Sequence, residues 1–161
     1  RWPLQPTPPE EIKFFLDAGL ELKVRADANR DSDPLRRGDA LPNKPVTVVW
    51  ANFWKADATK VDDALMRRLA KLTDLEYVGY NFEKYDGVIV TTDGARELGA
   101  LVNLRRLDVC HHIKGGFDGS VLAKMPGLED LHVAGIPGAA WARHVGGLSQ
   151  LRTIDTFNVS I

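Results

Sequence analysis

Cys110-His111-His112 sets a thiol beside two imidazoles, the groups that ligate zinc or pair as nucleophile and base. Neither chemistry is complete here. Cys110 is the only cysteine, and alternation along an extended segment points adjacent side chains in different directions, so a small apolar side chain at a strand end accounts for it. A second segment, Asp27-Ala-Asn29-Arg-Asp31-Ser-Asp33, spaces oxygen donors at alternate positions as a calcium loop does. Asp27, Asn29, Asp31 and Asp33 are therefore the candidate cation ligands. Ser32 stands where such a loop turns on glycine, and Gly38 where it needs a bidentate glutamate, which favours a solvated turn with no resident metal. Gly115-Gly116 lacks the Lys-Ser/Thr of a phosphate loop and reads as a turn. Asn158-Val-Ser160 is a glycosylation acceptor only in a secreted eukaryotic chain. No catalytic residue and no cofactor is expected.

The elements that position these residues belong to a chain of 161 residues, 44% apolar, which is enough to close one core. Lys and Arg number 21 against 22 Asp and Glu, so no basic field exists to hold a nucleic acid. The longest apolar run, Val46 to Ala51, is interrupted by Thr47 and falls far short of the roughly 18 residues of a membrane span. No membrane insertion is expected. A single cysteine excludes a disulfide within the chain, and both cytoplasmic and exported locations stay open.

Repeats organise the sequence. The rungs Leu72-Thr-Asp-Leu75-Glu-Tyr-Val78-Gly-Tyr80, Leu101-Val-Asn-Leu104-Arg-Arg-Leu107-Asp-Val109, Met125-Pro-Gly-Leu128-Glu-Asp-Leu131-His-Val133 and Leu148-Ser-Gln-Leu151-Arg-Thr-Ile154-Asp-Thr156 share one pattern. Their equivalent leucines, 75, 104, 128 and 151, lie 29, 24 and 23 residues apart, within the leucine-rich-repeat range of about 20–29. The apolar-x-apolar close of each rung predicts a short strand, and cap residues between rungs predict helices. Thr92 and Asp93 stand before Ala95 to Leu101, Asp118 and Ser120 before Val121 to Met125, and Pro137 opens the segment to Val145. A more worn unit supplies a strand at Val46 to Val48 and a helix at Val61 to Leu72.

Residues 1–45 form a cap ahead of the repeats of 46–161. Thr7-Pro-Pro-Glu10 predicts a capping box for a helix stopped by Gly19, Leu20 to Val24 alternates as a strand, and Ala26 to Pro45 reads as a surface loop or a partly disordered segment.

The units resemble bacterial leucine-rich-repeat proteins of the ribonuclease-inhibitor-like, cysteine-containing kind. Val90-Thr-Thr-Asp-Gly-Ala-Arg-Glu-Leu-Gly-Ala-Leu101 and Thr59-Lys-Val-Asp-Asp-Ala-Leu-Met-Arg-Arg-Leu-Ala-Lys-Leu72 look like degenerate copies of that unit. The turn after each strand departs from it at Glu83, His112, Ile136 and Val159. The resemblance implies an interaction scaffold without catalysis. The expected fold is an α/β leucine-rich-repeat solenoid with about five parallel strands on its concave face, helices outside and an amino-terminal helical cap.

Superposing the rungs brings Gly79, Asp108, His132 and Asp155 into the middle outward column. Tyr77, Arg106, Asp130 and Thr153 flank it on one side, and Asn81, Cys110, Ala134 and Phe157 on the other. His132 should stand between Asp108 and Asp155, with Arg106 facing Asp130. These residues are the expected surface for a protein or peptide partner, and the alternative is a metal- or ligand-dependent enzyme subunit using the same His and Asp residues. An aromatic rim of Trp50, Phe53, Trp54, Phe82 and Tyr85 could widen that surface or seal the fold against the first helix. Leu104, Leu107, Leu128, Leu131, Leu151 and Ile154 should be buried. Beyond Ile154 no capping helix is legible, which predicts further chain, a docked partner or a second copy at this end.

Overall fold

A computed structural model describes residues 4–27, 30–84, 87, 89–110, 112–136 and 141–157. Asn29, Tyr85, His111, Pro137 and Asn158 to Ser160 lie outside the described residues, as do the side chains of Asp27 and Arg30.

Helix α1 (Pro9–Asp17) buries Ile12, Phe15 and Leu16. Pro8 is its N-cap, and the expected capping box at Thr7 does not form. The helix begins at Pro9, one residue later than a capping box on Thr7 requires. The Thr7 hydroxyl instead accepts from the Val48 N–H at 3.0 Å and fastens the incoming chain to the sheet. At the other end Gly19 adopts φ +85°, and the N–H groups of Gly19 and Leu20 donate to the Leu16 and Phe15 carbonyls, turning the chain directly into strand β1 (Glu21–Asp27).

The segment expected to be a loop instead contributes β2 (Arg30–Asp31), antiparallel to β1, and a further bridge between Leu22 and Leu35. Strand β3 (Thr47–Asn52) pairs antiparallel with the other edge of β1, with an irregularity between Lys23 and Val24. That shift lets Val48, Val49 and Ala51 all be buried while Trp50 and Asn52 stay partly exposed.

From β3 onward every pairing is parallel. Helix α2 (Asp63–Leu69) leads to β4 (Tyr77–Tyr80), helix α3 (Thr92–Arg96) to β5 (Arg106–Cys110), a 3-10 helix (Gly119–Lys124) to β6 (Asp130–Ala134), and helix α4 (Ala142–Val145) to β7 (Thr153–Phe157). The molecule is thus α/β, built on one seven-stranded sheet ordered β2-β1-β3-β4-β5-β6-β7. Sequence neighbours are spatial neighbours throughout the parallel part, five strands in all among the described residues.

The connections are shorter helices than the sequence predicts. Asp62 caps α2 through the Leu65 N–H at 2.8 Å, so the helix begins at Asp63 rather than Val61. Thr91, not Thr92, caps α3, which tightens into a 3-10 turn over Glu97–Ala100. Asp118 does cap the segment before β6, through the Ser120 N–H at 3.0 Å. Units of about two dozen residues leave room for only one or two turns between strands.

Leu104, Leu107, Leu128 and Leu131 are buried in equivalent places, and the residues of the amino-terminal cap share their core. Leu151 and Ile154 break the expectation. Leu151 is only partly buried and Ile154 is 45% exposed, because among the described residues β7 has a neighbouring strand on one side only. Among the described residues no helix is long and apolar enough to cross a membrane.

Candidate functional site

The outward face of the sheet carries the expected columns in the expected register. Tyr77, Arg106, Asp130 and Thr153 are successive cross-strand partners, and so are Gly79, Asp108, His132 and Asp155. Cys110, Ala134 and Phe157 complete the third column.

The first column extends further than the rungs foretell, because β3 and β1 add Trp50 and Lys23 to it. Trp50 and Tyr77 stack with ring centroids 5.1 Å apart and planes within 15°. Lys23 Nζ lies 5.3 Å from the Trp50 ring, and the Arg106 guanidinium carbon 5.5 Å from Tyr77, so a cation closes each end of the stack. Trp50 therefore belongs to this row rather than to a separate rim. Alternation of Leu20, Leu22 and Val24 marks Lys23 as outward, but its place beside Trp50 requires the antiparallel pairing of β1 with β3.

Asp108 anchors the row. The Tyr77 hydroxyl donates to its Oδ2 at 2.7 Å, and Arg106 Nε donates to Oδ1 at 3.1 Å. The carboxylate is nearly buried, and burial followed by the hydrogen bond to Asp108 pushes the Tyr77 hydroxyl well above the usual phenol range. Gly79 makes this geometry available: a Cβ there would lie 2.4 Å from the Tyr77 hydroxyl oxygen. With glycine beneath it, the Tyr77 side chain lies along its own strand toward β5.

Both expected placements hold in the register, Arg106 opposite Asp130 and His132 between Asp108 and Asp155. The side-chain contacts are more selective: the Arg106 guanidinium forks onto Asp108, two residues away on its own strand. His132 Nδ1 lies 3.4 Å from Asp155 Oδ2, while Asp108 is engaged by Tyr77 and Arg106. Asp155 is 67% exposed in its side chain, and Thr153 and Phe157 are exposed beside it.

The aromatic rim separates into different environments. Phe53 and Phe82 are buried and meet Tyr80 edge-on at 5.3 and 5.1 Å, forming a core cluster rather than a binding rim. Among the described rim residues only Trp54 is exposed, and Asn52 turns its side chain back to accept from the Trp54 backbone N–H at 2.9 Å. Asn81 buries its Oδ1 without a hydrogen-bond partner among the described residues.

Among the described residues the other motifs do not assemble into a site. Burial pushes the Cys110 thiol up to about 11, so it stays protonated near neutrality and is a poor nucleophile. Asp31 is held by Arg25 Nε at 2.6 Å on the paired strands β1 and β2. Asp33 stays exposed beside it. Among the described residues no group of three or more His, Cys, Asp or Glu side chains is placed to hold a metal ion.

The outward face therefore divides chemically. Lys23, Trp50, Tyr77 and Arg106 make a basic and aromatic half on β1 to β5, and Asp130, His132 and Asp155 make a more acidic half on β6 and β7. No protein-family model matches the chain, and no characterised protein is detectably similar to it in sequence.

Proposed function

We propose that this chain is a leucine-rich-repeat solenoid of the ribonuclease-inhibitor-like kind, acting as a non-catalytic scaffold that binds a protein or peptide across the outward, concave face of β3–β7. The observation that carries the reading is the prearranged row of Trp50, Tyr77, Arg106 and Asp108. Rigid aromatic area held by satisfied hydrogen bonds binds at little cost in side-chain entropy, and the acidic half beside it supplies direction. The repeat reading is supported by leucine spacing that runs in phase with the strand register over four successive units.

A peptide-display library selected against the immobilised chain tests the surface. Binders should weaken at least about tenfold on Trp50→Ala or Asp155→Ala and be unaffected by Arg67→Ala on α2. Binders that ignore the sheet changes and fail on Arg67→Ala would sink the proposal. The solenoid itself is tested by deleting residues 105–128, one whole unit. A repeat fold docks the next unit on the same surface and still unfolds cooperatively, whereas a non-repetitive sheet loses its central strand and collapses.

A further inference from the structure

The amino-terminal cap encloses a cleft apart from the outward face of the sheet. It lies between residues 6–12 and residues 41–46, has a volume of about 480 Å³, and takes five prolines among its eleven lining residues: Pro6, Pro8 and Pro9 on one wall, Pro42 and Pro45 on the other. That volume falls within the roughly 300–1,000 Å³ of small-molecule sites. Ile12 and Val46, both buried, and the half-buried Leu41 supply its apolar interior. The walls are fixed in place. The Thr7 N–H donates to the Val46 carbonyl at 2.8 Å, its hydroxyl accepts from the Val48 N–H at 3.0 Å, and Pro8 and Pro9 open α1. Proline locks φ and carries no N–H, so these walls resist closing by backbone rotation and offer no main-chain donor at the proline positions. The described chain before Pro6 leads elsewhere: the Gln5 N–H donates to Asp74 Oδ2 at 2.9 Å, its carbonyl accepts from the Thr47 hydroxyl at 2.7 Å, and neither Leu4 nor Gln5 lines the cleft.

Its charge is equally one-sided. Lys44 is the only ionisable residue in the lining, it is exposed, and among the described residues it forms no ion pair. Asp31 and Asp33 border it from an adjoining hollow, where Asp31 is already held by Arg25. Asn43 adds an amide donor next to the ammonium group. An apolar interior with a single unpaired cation at its mouth suits an organic monoanion, whose charge meets Lys44 in a charge-assisted hydrogen bond while its body leaves water.

We propose that this cleft binds a small aromatic carboxylate, its carboxylate on Lys44 and its rings between the proline walls over Ile12, Leu41 and Val46. Charge complementarity selects the acid, because no carboxylate lines the cleft to repel it. Rigidity selects the rings. Fixed walls cannot fold around a flexible chain, a planar ring system loses little freedom on entering, and proline against an aromatic face is the contact by which proline-rich segments dock in aromatic grooves. None of the residues of the Trp50 row lines the cleft, so its occupancy is independent of what that row binds.

The probe is 2-naphthoate, titrated at neutral pH into the methyl-labelled chain, with 2-naphthamide as its uncharged counterpart and octanoate as its flexible one. The methyl resonances of Ile12, Leu41 and Val46 should shift in the ring current and saturate, while the Trp50 indole resonance stays unmoved. The amide and octanoate should each bind at least about tenfold more weakly. Lys44→Ala should bring naphthoate down to the affinity of the amide without changing that of the amide, Lys44→Arg should keep most of the naphthoate affinity, and Arg67→Ala on α2 should change nothing. Methyl groups that do not move at millimolar naphthoate would overturn the proposal. So would equal binding of acid and amide, octanoate that binds as tightly as naphthoate, or a Lys44→Ala chain that binds naphthoate like the parent.

Discussion

At the amino end of the sheet, β3 is covered along its edge by β1, which is itself flanked by the short β2 and packed against α1. At the carboxyl end, β7 is paired on one side only among the described residues. The consequences run through every level of structure. Leu22 of β1 is fully buried and Ile154 of β7 is 45% exposed, although both are aliphatic residues at core-facing strand positions. Charges differ in the same sense. Arg25, with a side chain 16% exposed, forks onto Glu76 at 2.7 and 3.0 Å and also holds Asp31, which ties the β1–β2 pair to the segment before β4. The pairs toward the other end, such as Arg152 with Glu129, are more open to water. A strand edge left with unpaired backbone and apolar side chains is a liability unless something covers it, and the amino end shows how this chain covers one.

The strongest test of that asymmetry is a pair of truncations followed by urea unfolding. Leu22→Ala should cost about 2–5 kcal/mol, as removal of a fully packed side chain does. Ile154→Ala should cost about 1 kcal/mol or less, because much of the side chain is already in water. Equal losses would mean that Ile154 is covered in solution.

A second pair sharpens the comparison on the outward face. Gly79→Ala puts a methyl group into the Tyr77 hydroxyl, so Tyr77 must leave Trp50 and Asp108, at about 1–3 kcal/mol. Near-ultraviolet circular dichroism should report the loss of the stacked pair. Gly127→Ala, in the turn before β6, meets only the Leu104 carbonyl at 3.7 Å and should leave both signal and stability close to the parent. A silent Gly79→Ala would show that the row is not held as described.

Arg25→Ala comes next. It strands Glu76 and Asp31 without their partner, and since both carboxylates reach water the expected loss is about 1–2 kcal/mol. The Asp31 and Leu35 amides should exchange faster if Arg25 is what secures the β1–β2 pair, and an unchanged pair would show that backbone pairing suffices.

These contrasts mark what the sequence discloses. Leucines at a fixed spacing fix the phase of each rung, so Tyr77, Arg106, Asp130 and Thr153 come out opposite one another as their positions predict. Ile154 occupies the same phase and yet is 45% exposed, because among the described residues β7 is paired on one side only and burial depends on neighbouring strands as well as on phase. Arg106 had two carboxylates within reach, and choosing Asp108 over Asp130 depended on where the Tyr77 ring lay. That in turn depended on Gly79. Phe53 and Phe82 resembled a rim in sequence because they stand just after strands, where a chain can turn inward or outward. Lys23 was readable as outward, but its partner Trp50 was set by an antiparallel pairing that the repeat does not contain.

The smallest effect concerns the exposed ion pairs of the carboxyl half, and it is a dependence on pH. Asp118 accepts from Arg96 Nε at 2.8 Å and caps the 3-10 helix before β6. The Arg96 hydrogen bond, followed by the Ser120 hydrogen bonds, holds the Asp118 carboxyl well below the usual carboxylate range. A carboxyl whose pKa is lowered by folding contributes its stability above the unfolded value near 4, and loses it as pH falls toward the folded value. Asp118→Asn removes the charge and keeps an oxygen to accept from Ser120. The variant should therefore be less stable than the parent at pH 7 by under about 1 kcal/mol, since both partners are partly solvated. That gap should hold steady down to about pH 5, narrow below pH 4 and shrink in high salt. A gap that stays constant from neutral pH into strong acid would mean that Asp118 acts only through its capping oxygen, and that Arg96 contributes nothing to joining α3 to the next unit.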